Sequence, residues 1–173
     1  MVIPRSLEAL MLDLEHRGVA VVVRIRPADR RVLTAGLLDS LTEALAYIGP
    51  DRAVVLTGAR GVFAPDLDPV EGPARDDARL ALPEALSALR AHPLPVVAAL
   101  NGDAVGAGYA LAAAADVRIM STGTVQPAPE FGPHRTSEAL ALGLVDFRCT
   151  TAELLSLALR QVQAFTGREF ARR

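Results

Sequence analysis

The sequence predicts an α/β domain built on a largely parallel sheet, and three observations carry that expectation. Short runs rich in β-branched residues alternate along the chain with segments whose apolar residues recur at helical spacing. The runs at 19–25, 53–57 and 94–100 are apolar almost throughout, as strands buried on both faces must be. With 51% of its 173 residues apolar, the chain can build one domain with a real core but not two.

Each element has a local reason. Residues 8–15 and 19–25 read as strands joined by a turn at Arg17-Gly18. Over 37–48, the residues Leu37, Leu38, Leu41, Ala44, Leu45 and Ile48 fall on one helical face, and Gly49-Pro50 ends the helix. A short buried strand over 53–57 feeds a loop over 58–72 that is rich in Gly, Pro and Asp. The spacing predicts an amphipathic helix over 76–90, with Pro83 as a kink or an internal start. A strand over 94–100, an Ala-rich helix over 106–115 and a strand over 117–120 follow, then a brief helix over 136–142 and a strand over 144–148. A capping box, Thr150-x-x-Glu153, opens a final helix running to about residue 165. No internal repeat is visible. Residues 1–150 read as the core and 151–173 as a C-terminal helical part. In such a sheet the crossovers are right-handed, and ligands sit beyond the carboxyl ends of the strands, where the two glycine loops fall.

Composition narrows the function. A formal net charge of −2 leaves no electrostatic footprint for nucleic acid, and an aromatic content of 4% is too low for a base-stacking platform. All 18 basic residues are Arg, so neither Schiff-base chemistry nor a Lys-dependent phosphate loop is available. Cys149 is the single cysteine and reads as a small buried hydrophobe, which excludes an intramolecular disulfide and a Cys-rich zinc site. The N-terminal residues are too acidic for a signal or transit peptide, so a cytoplasmic protein is expected. The apolar stretch 94–117 is as long as a membrane span. Pro95, Asn101, Gly102, Asp103, Gly106 and Gly108 break it into strand, turn and helix, so no membrane is expected as a partner.

Two segments can carry chemistry. In the first, strand 95–100 runs into Asn101-Gly102 and then Gly106-Ala107-Gly108 at a helix start. Free backbone N–H groups there favour negative charge, so this is an oxyanion or phosphate site, unless the glycines serve only tight packing. The second runs Thr57-Gly58, then Phe63-Ala64-Pro65-Asp66-Leu67-Asp68. Its paired aspartates read as turn formers rather than as a metal site.

These segments resemble the enoyl-CoA hydratase/isomerase (crotonase) family. Its first motif, Thr-Gly followed by Phe-x-x-Gly-x-Asp-Leu, is matched in part by Thr57-Gly58 and residues 63–68. Its second, Pro-x-(Val/Ile)-Ala-x-(Val/Ile)-Asn-Gly-x-Ala-x-Gly-Gly-Gly with a later Asp-(Ile/Val)-Arg, is matched by residues 95–108 and by Asp116-Val117-Arg118. Arg26-Pro27, Pro129-Glu130 and the run from Glu138 to Gly143-Leu144-Val145 fit weaker family features, so the likeness spans roughly 8–148. It implies a crotonase-like repeated ββα spiral, shortened in its C-terminal helical part. It also implies a homotrimer or hexamer and a role in fatty acid metabolism.

The chemistry implied is enolate stabilisation on an acyl thioester by two backbone donors, which by position are the N–H groups of Leu67 and Ala107. Glu130 would serve as acid or base, with His134 nearby as an assistant or a surface residue. Gly106 and Gly108 would admit the ligand, with Ala64, Asp66 and Asp68 beside it. Arg30 and Arg31 would contact the phosphates of coenzyme A, which enters as part of the substrate; no separate cofactor is implied. An acyl-carrier thioester is the other partner that the resemblance admits. Several positions depart from the family. Ala110 stands where hydratases place one of two carboxylates, Ala107 replaces a glycine, and Arg31 an asparagine. Asp66 replaces another glycine, and its carboxylate is expected to point away, because an inward charge would oppose an enolate. The chain is also short after Glu130 and beyond residue 150. The leading expectation is therefore an enoyl-CoA hydratase or isomerase. The alternatives are a non-catalytic acyl-CoA binder, or a thioester hydrolase or decarboxylase on the same scaffold.

Overall fold

A computed structural model describes residues 11–28 and 31–170, the last four of them by backbone alone. Strands β1 (Leu12–Arg17) and β2 (Ala20–Ile25) form a hairpin, followed by helix α1 (Ala35–Ile48). Three units of like plan come next. The first is β3 (Ala53–Gly58), β4 (Val62–Ala64) and α2 (Pro73–Ala91). The second is β5 (Val96–Leu100), β6 (Asp103–Val105) and α3 (Ala107–Ala113). The third is β7 (Val117–Met120), β8 (Thr124–Gln126), β9 (His134–Arg135) and α4 (Thr136–Ala141). Strand β10 (Phe147–Arg148) and helix α5 (Leu154–Phe170) complete the order.

In each unit the first strand joins a six-stranded sheet, ordered β1-β2-β3-β5-β7-β10, and the second joins a four-stranded sheet, ordered β4-β6-β8-β9. All pairings are parallel except β1 with β2 and β8 with β9. This is the repeated ββα spiral, so the chain does contain a structural repeat. Its marker is a glycine at each corner. Gly61, Gly102 and Gly123 each precede a short strand, and they stack on one another so closely that a Cβ on Gly102 would overlap the Gly61 carbonyl. Side chains do not repeat, because each unit packs against different neighbours.

The inner strands β2, β3 and β5 of the large sheet are buried on both faces, which accounts for their nearly unbroken apolar runs. Val21, Val23, Val54, Leu56, Val96 and Ala98 face the core shared with α1, α2 and α3. Their neighbours Val22, Val55, Val97 and Ala99 face the other way, with Ile119, and are covered by Leu154, Ala158 and Val162 of α5, spaced four apart on one helical face. Helix α1 is capped by Thr34, whose Oγ1 accepts from Leu37 N–H at 3.2 Å, and closed by Gly49.

Several boundaries differ from the sequence expectation. Part of the expected 8–15 strand and all of Arg30 lie outside the described residues. Helix α2 starts earlier than expected, with Pro73 at its first turn, and runs unbroken through Pro83. Pro83 is exposed, so the carbonyl it leaves without an intrahelical partner can be hydrated. The expected 144–148 strand shrinks to β10, because Leu144 N–H donates to the Ala139 carbonyl at 2.9 Å and closes the end of α4 instead. Among the described residues, no helix is long and apolar enough to cross a membrane.

Candidate functional site

The parallel pairing of β4 with β6 brings the two glycine loops together. Asn101 ties their bases, its Oδ1 accepting from Gly58 N–H at 2.9 Å. Gly108 lets α3 lie against the first loop, since a Cβ there would overlap the Ala64 carbonyl. From the opposite side, Leu33 N–H donates to the Asp66 carbonyl at 2.9 Å and fixes the loop's height.

The Asp66 carboxylate points into the junction, contrary to the outward orientation expected from sequence. One oxygen, Oδ1, accepts from the Leu67 N–H at 2.8 Å and from the Ala107 N–H at 2.9 Å. The physical reason lies at the start of α3. Its N-cap is Gly106, which has no side chain to satisfy the first amides, so a carboxylate from a distant loop does so. Gly106 adopts a φ of 52°, and a Cβ on it would overlap the Asp66 carboxylate, so glycine is required there for the inward position. The two amides named from sequence thus converge on one point, and an oxygen of the chain itself fills that point.

Beside this junction opens a cleft of about 540 Å³. Of the residues expected to bind ligand, Arg31, Ala64, Asp66 and Leu67 line it. Val62, Pro65, Pro69, Val105 and Pro129 supply apolar wall; Arg75 and Asp103 supply charge. Asp68, Gly106, Gly108, Ala110 and Glu130 are not part of the lining. Asp68 accepts from Val70 N–H at 2.9 Å, a local turn bond. Glu130 is exposed in the turn after Pro129. His134 places its Nδ1 3.1 Å from the Glu138 carboxylate. Asp103 accepts from the Thr124 N–H at 2.8 Å and from its hydroxyl at 3.1 Å.

Asp116 and Arg118, which looked like motif residues in sequence, hold the frame. Asp116 accepts from Val96 N–H at 2.7 Å, and Arg118 donates to the Ala113 and Ala115 carbonyls at 3.3 and 3.0 Å. The Tyr109 hydroxyl donates to the Leu144 carbonyl at 2.7 Å, and burial pushes its ionisation above the usual tyrosine range. It therefore stays protonated and tethers α3 to the segment after α4. No group of three or more ligating side chains suited to a metal is gathered among the described residues. Sequence reasoning missed Arg75. It sits outside both glycine motifs, and the first turn of α2, held to the Pro69 carbonyl six residues earlier, brings it to the cleft.

Residues 15–133, more than half of the chain, match the family model described as enoyl-CoA hydratase/isomerase. A probable enoyl-CoA hydratase of Mycobacterium leprae is 39% identical over 130 residues, covering 66% of this chain and 44% of that protein. The mitochondrial enoyl-CoA hydratase domain-containing protein 2 of Bos taurus is 28% identical over 176 residues, covering 96% of this chain and 57% of that protein. The chain therefore spans about half the length of these curated relatives. Among solved structures, an enoyl-CoA hydratase/carnithine racemase from Magnetospirillum magneticum superposes with a TM-score of 0.80 at 22% identity, over 90% of this chain and 74% of that one. A monofunctional enoyl CoA isomerase from M. smegmatis gives 0.76 at 23% identity, over 91% and 85%. These structures share the spiral fold, and the match of the family model along most of it settles the relationship: the chain belongs to the enoyl-CoA hydratase/isomerase family.

Proposed function

We propose that this chain binds an acyl thioester, of coenzyme A or of a carrier protein, and does not carry out enolate chemistry while Asp66 holds its two amides. Family membership and the cleft beside Leu67 support thioester binding. The observation that carries the second half is the single Asp66 oxygen accepting from both Leu67 and Ala107. An enolate oxygen directed at the same donors meets an ionised carboxylate. Two like charges about 4 Å apart repel by about 4 kcal/mol at an effective dielectric of about 20. That is roughly a thousandfold in rate. Ala110 adds no carboxylate of its own, and Glu130 lies outside the cleft lining.

The test pairs binding with turnover. Calorimetric titration with butyryl-CoA should give saturable binding, whereas crotonyl-CoA should not be hydrated and the α-protons of butyryl-CoA should not exchange in D₂O. Asp66→Gly, which clears the amide pair, should let the α-protons of butyryl-CoA exchange when an external base such as imidazole is added to accept the proton. Hydration or exchange by the unmodified chain would overturn the proposal in favour of a hydratase or isomerase. Release of free thiol from butyryl-CoA would point to a hydrolase.

A further inference from the structure

We infer that Arg75 forms an anion subsite in the cleft, and that the acyl group bound there carries a carboxylate. The inference rests on the thioester reading above and names the substrate class. Arg75 is half-buried in the first turn of α2 and lines the same cleft as Leu67 and Asp66. Its Nη1 donates to the Pro69 carbonyl at 3.1 Å, which fixes the guanidinium at the cleft wall. Its Nε is screened from solvent and has no hydrogen-bond partner. Among the described residues no carboxylate forms an ion pair with it, although Asp76 and Asp77 follow closely in sequence. The guanidinium is thus placed but under-satisfied. It also sits at the helix end where the backbone field is positive, the wrong end for a cation. An anion in the cleft, met by the accessible part of the guanidinium, offsets the unpaired charge, and the planar fork of Arg suits a carboxylate.

Reach decides between a carboxylate on the acyl chain and a phosphate of coenzyme A. Pro69 is two residues beyond Leu67, so the guanidinium lies within about 10 Å of the Leu67 N–H. A short dicarboxylic acyl chain, on a thioester seated beside the junction that Asp66 fills, spans a gap of that size. The first phosphate of an extended pantetheine arm lies roughly 15 Å from the sulfur, at the per-residue reach of an extended chain. The acyl carboxylate is therefore the occupant that fits.

The experiment compares succinyl-CoA, glutaryl-CoA, butyryl-CoA and free CoA by calorimetric titration. The unmodified chain should prefer at least one of the two carboxylated esters over butyryl-CoA by about tenfold or more. Arg75→Met should abolish that preference, while Arg75→Lys should keep part of it. A circular dichroism spectrum matching the parent's shows that each variant is folded. Binding of butyryl-CoA with no preference for either carboxylated ester would overturn the inference and leave the thioester reading standing. Equal weakening of all four ligands in Arg75→Met would overturn it too, by assigning Arg75 to phosphate. No binding of any ester by the unmodified chain would remove both readings together.

Discussion

Oδ1 of Asp66 stands 2.9 Å from the Ala107 amide nitrogen, across 41 positions of sequence. The same oxygen accepts the Leu67 amide, so one carboxylate both caps α3 and fills the convergence point of two donors. Removing it has a structural as well as a functional effect. Asp66→Gly leaves two amides without their partner and should lower the unfolding free energy by about 1–3 kcal/mol in urea denaturation. Asp66→Asn keeps an acceptor oxygen without the charge and should cost about 1 kcal/mol. Equal stability of both variants and the parent would mean that the carboxylate bonds contribute nothing.

The contact between α3 and the first loop depends on Gly108. A Cβ there meets backbone, not the end of a flexible side chain, so the loop itself must move. Gly108→Ala should lower stability by about 3 kcal/mol or more. Gly132→Ala is the control, because nothing lies within 4 Å of a Cβ at that position, and it should stay within about 0.5 kcal/mol of the parent.

Cys149 should be a poor nucleophile. Burial pushes its thiol above the usual cysteine range, and the nearby Glu153 charge pushes in the same direction. The thiolate fraction at neutral pH is correspondingly small. Reaction with a disulfide reagent should be slower than for free cysteine at neutral pH and should accelerate as the solution is made alkaline. A rate at neutral pH equal to that of free cysteine would contradict this.

On the β1–β2 hairpin, Glu15 is held below the usual carboxylate range, first by its hydrogen bond from Arg24 and then by that from Arg17. A folded-state value below the unfolded one means that the contribution is present at neutral pH. It disappears as pH falls through the folded-state value. Any difference in Tm between the parent and Glu15→Gln should therefore close in acid. A Tm difference that widens as pH falls would reverse the sign.

Much of the fold could be read from composition. Residues 20–25, 53–58 and 96–100 are strands whose two faces are both covered, so their sequences are apolar apart from Arg24 and Thr57 near two of the ends. The short strands β4, β6, β8 and β9 escaped, because two or three residues carry no measurable period. The glycine before each of β4, β6 and β8 was the available signal, and its meaning emerges only when the three corners stack. The two amides at Leu67 and Ala107 were legible because backbone donors depend on chain path more than on side-chain identity.

Chain path is local to this extent: an apolar run flanked by glycine makes a buried strand and turn wherever it lies in the domain. Motifs made of such pieces therefore mark both loops and the family in the sequence alone. The direction of the Asp66 carboxylate is of another kind. It depends on a positive φ at Gly106 and on an uncapped helix end in a different unit. Arg75 reaches the Pro69 carbonyl within its own segment, but the cleft it lines is completed by Asp103, Val105 and Pro129 from the two later units. Both surroundings are made by segments distant in sequence, and no local pattern encodes the partner a charge will meet once the chain has closed around it.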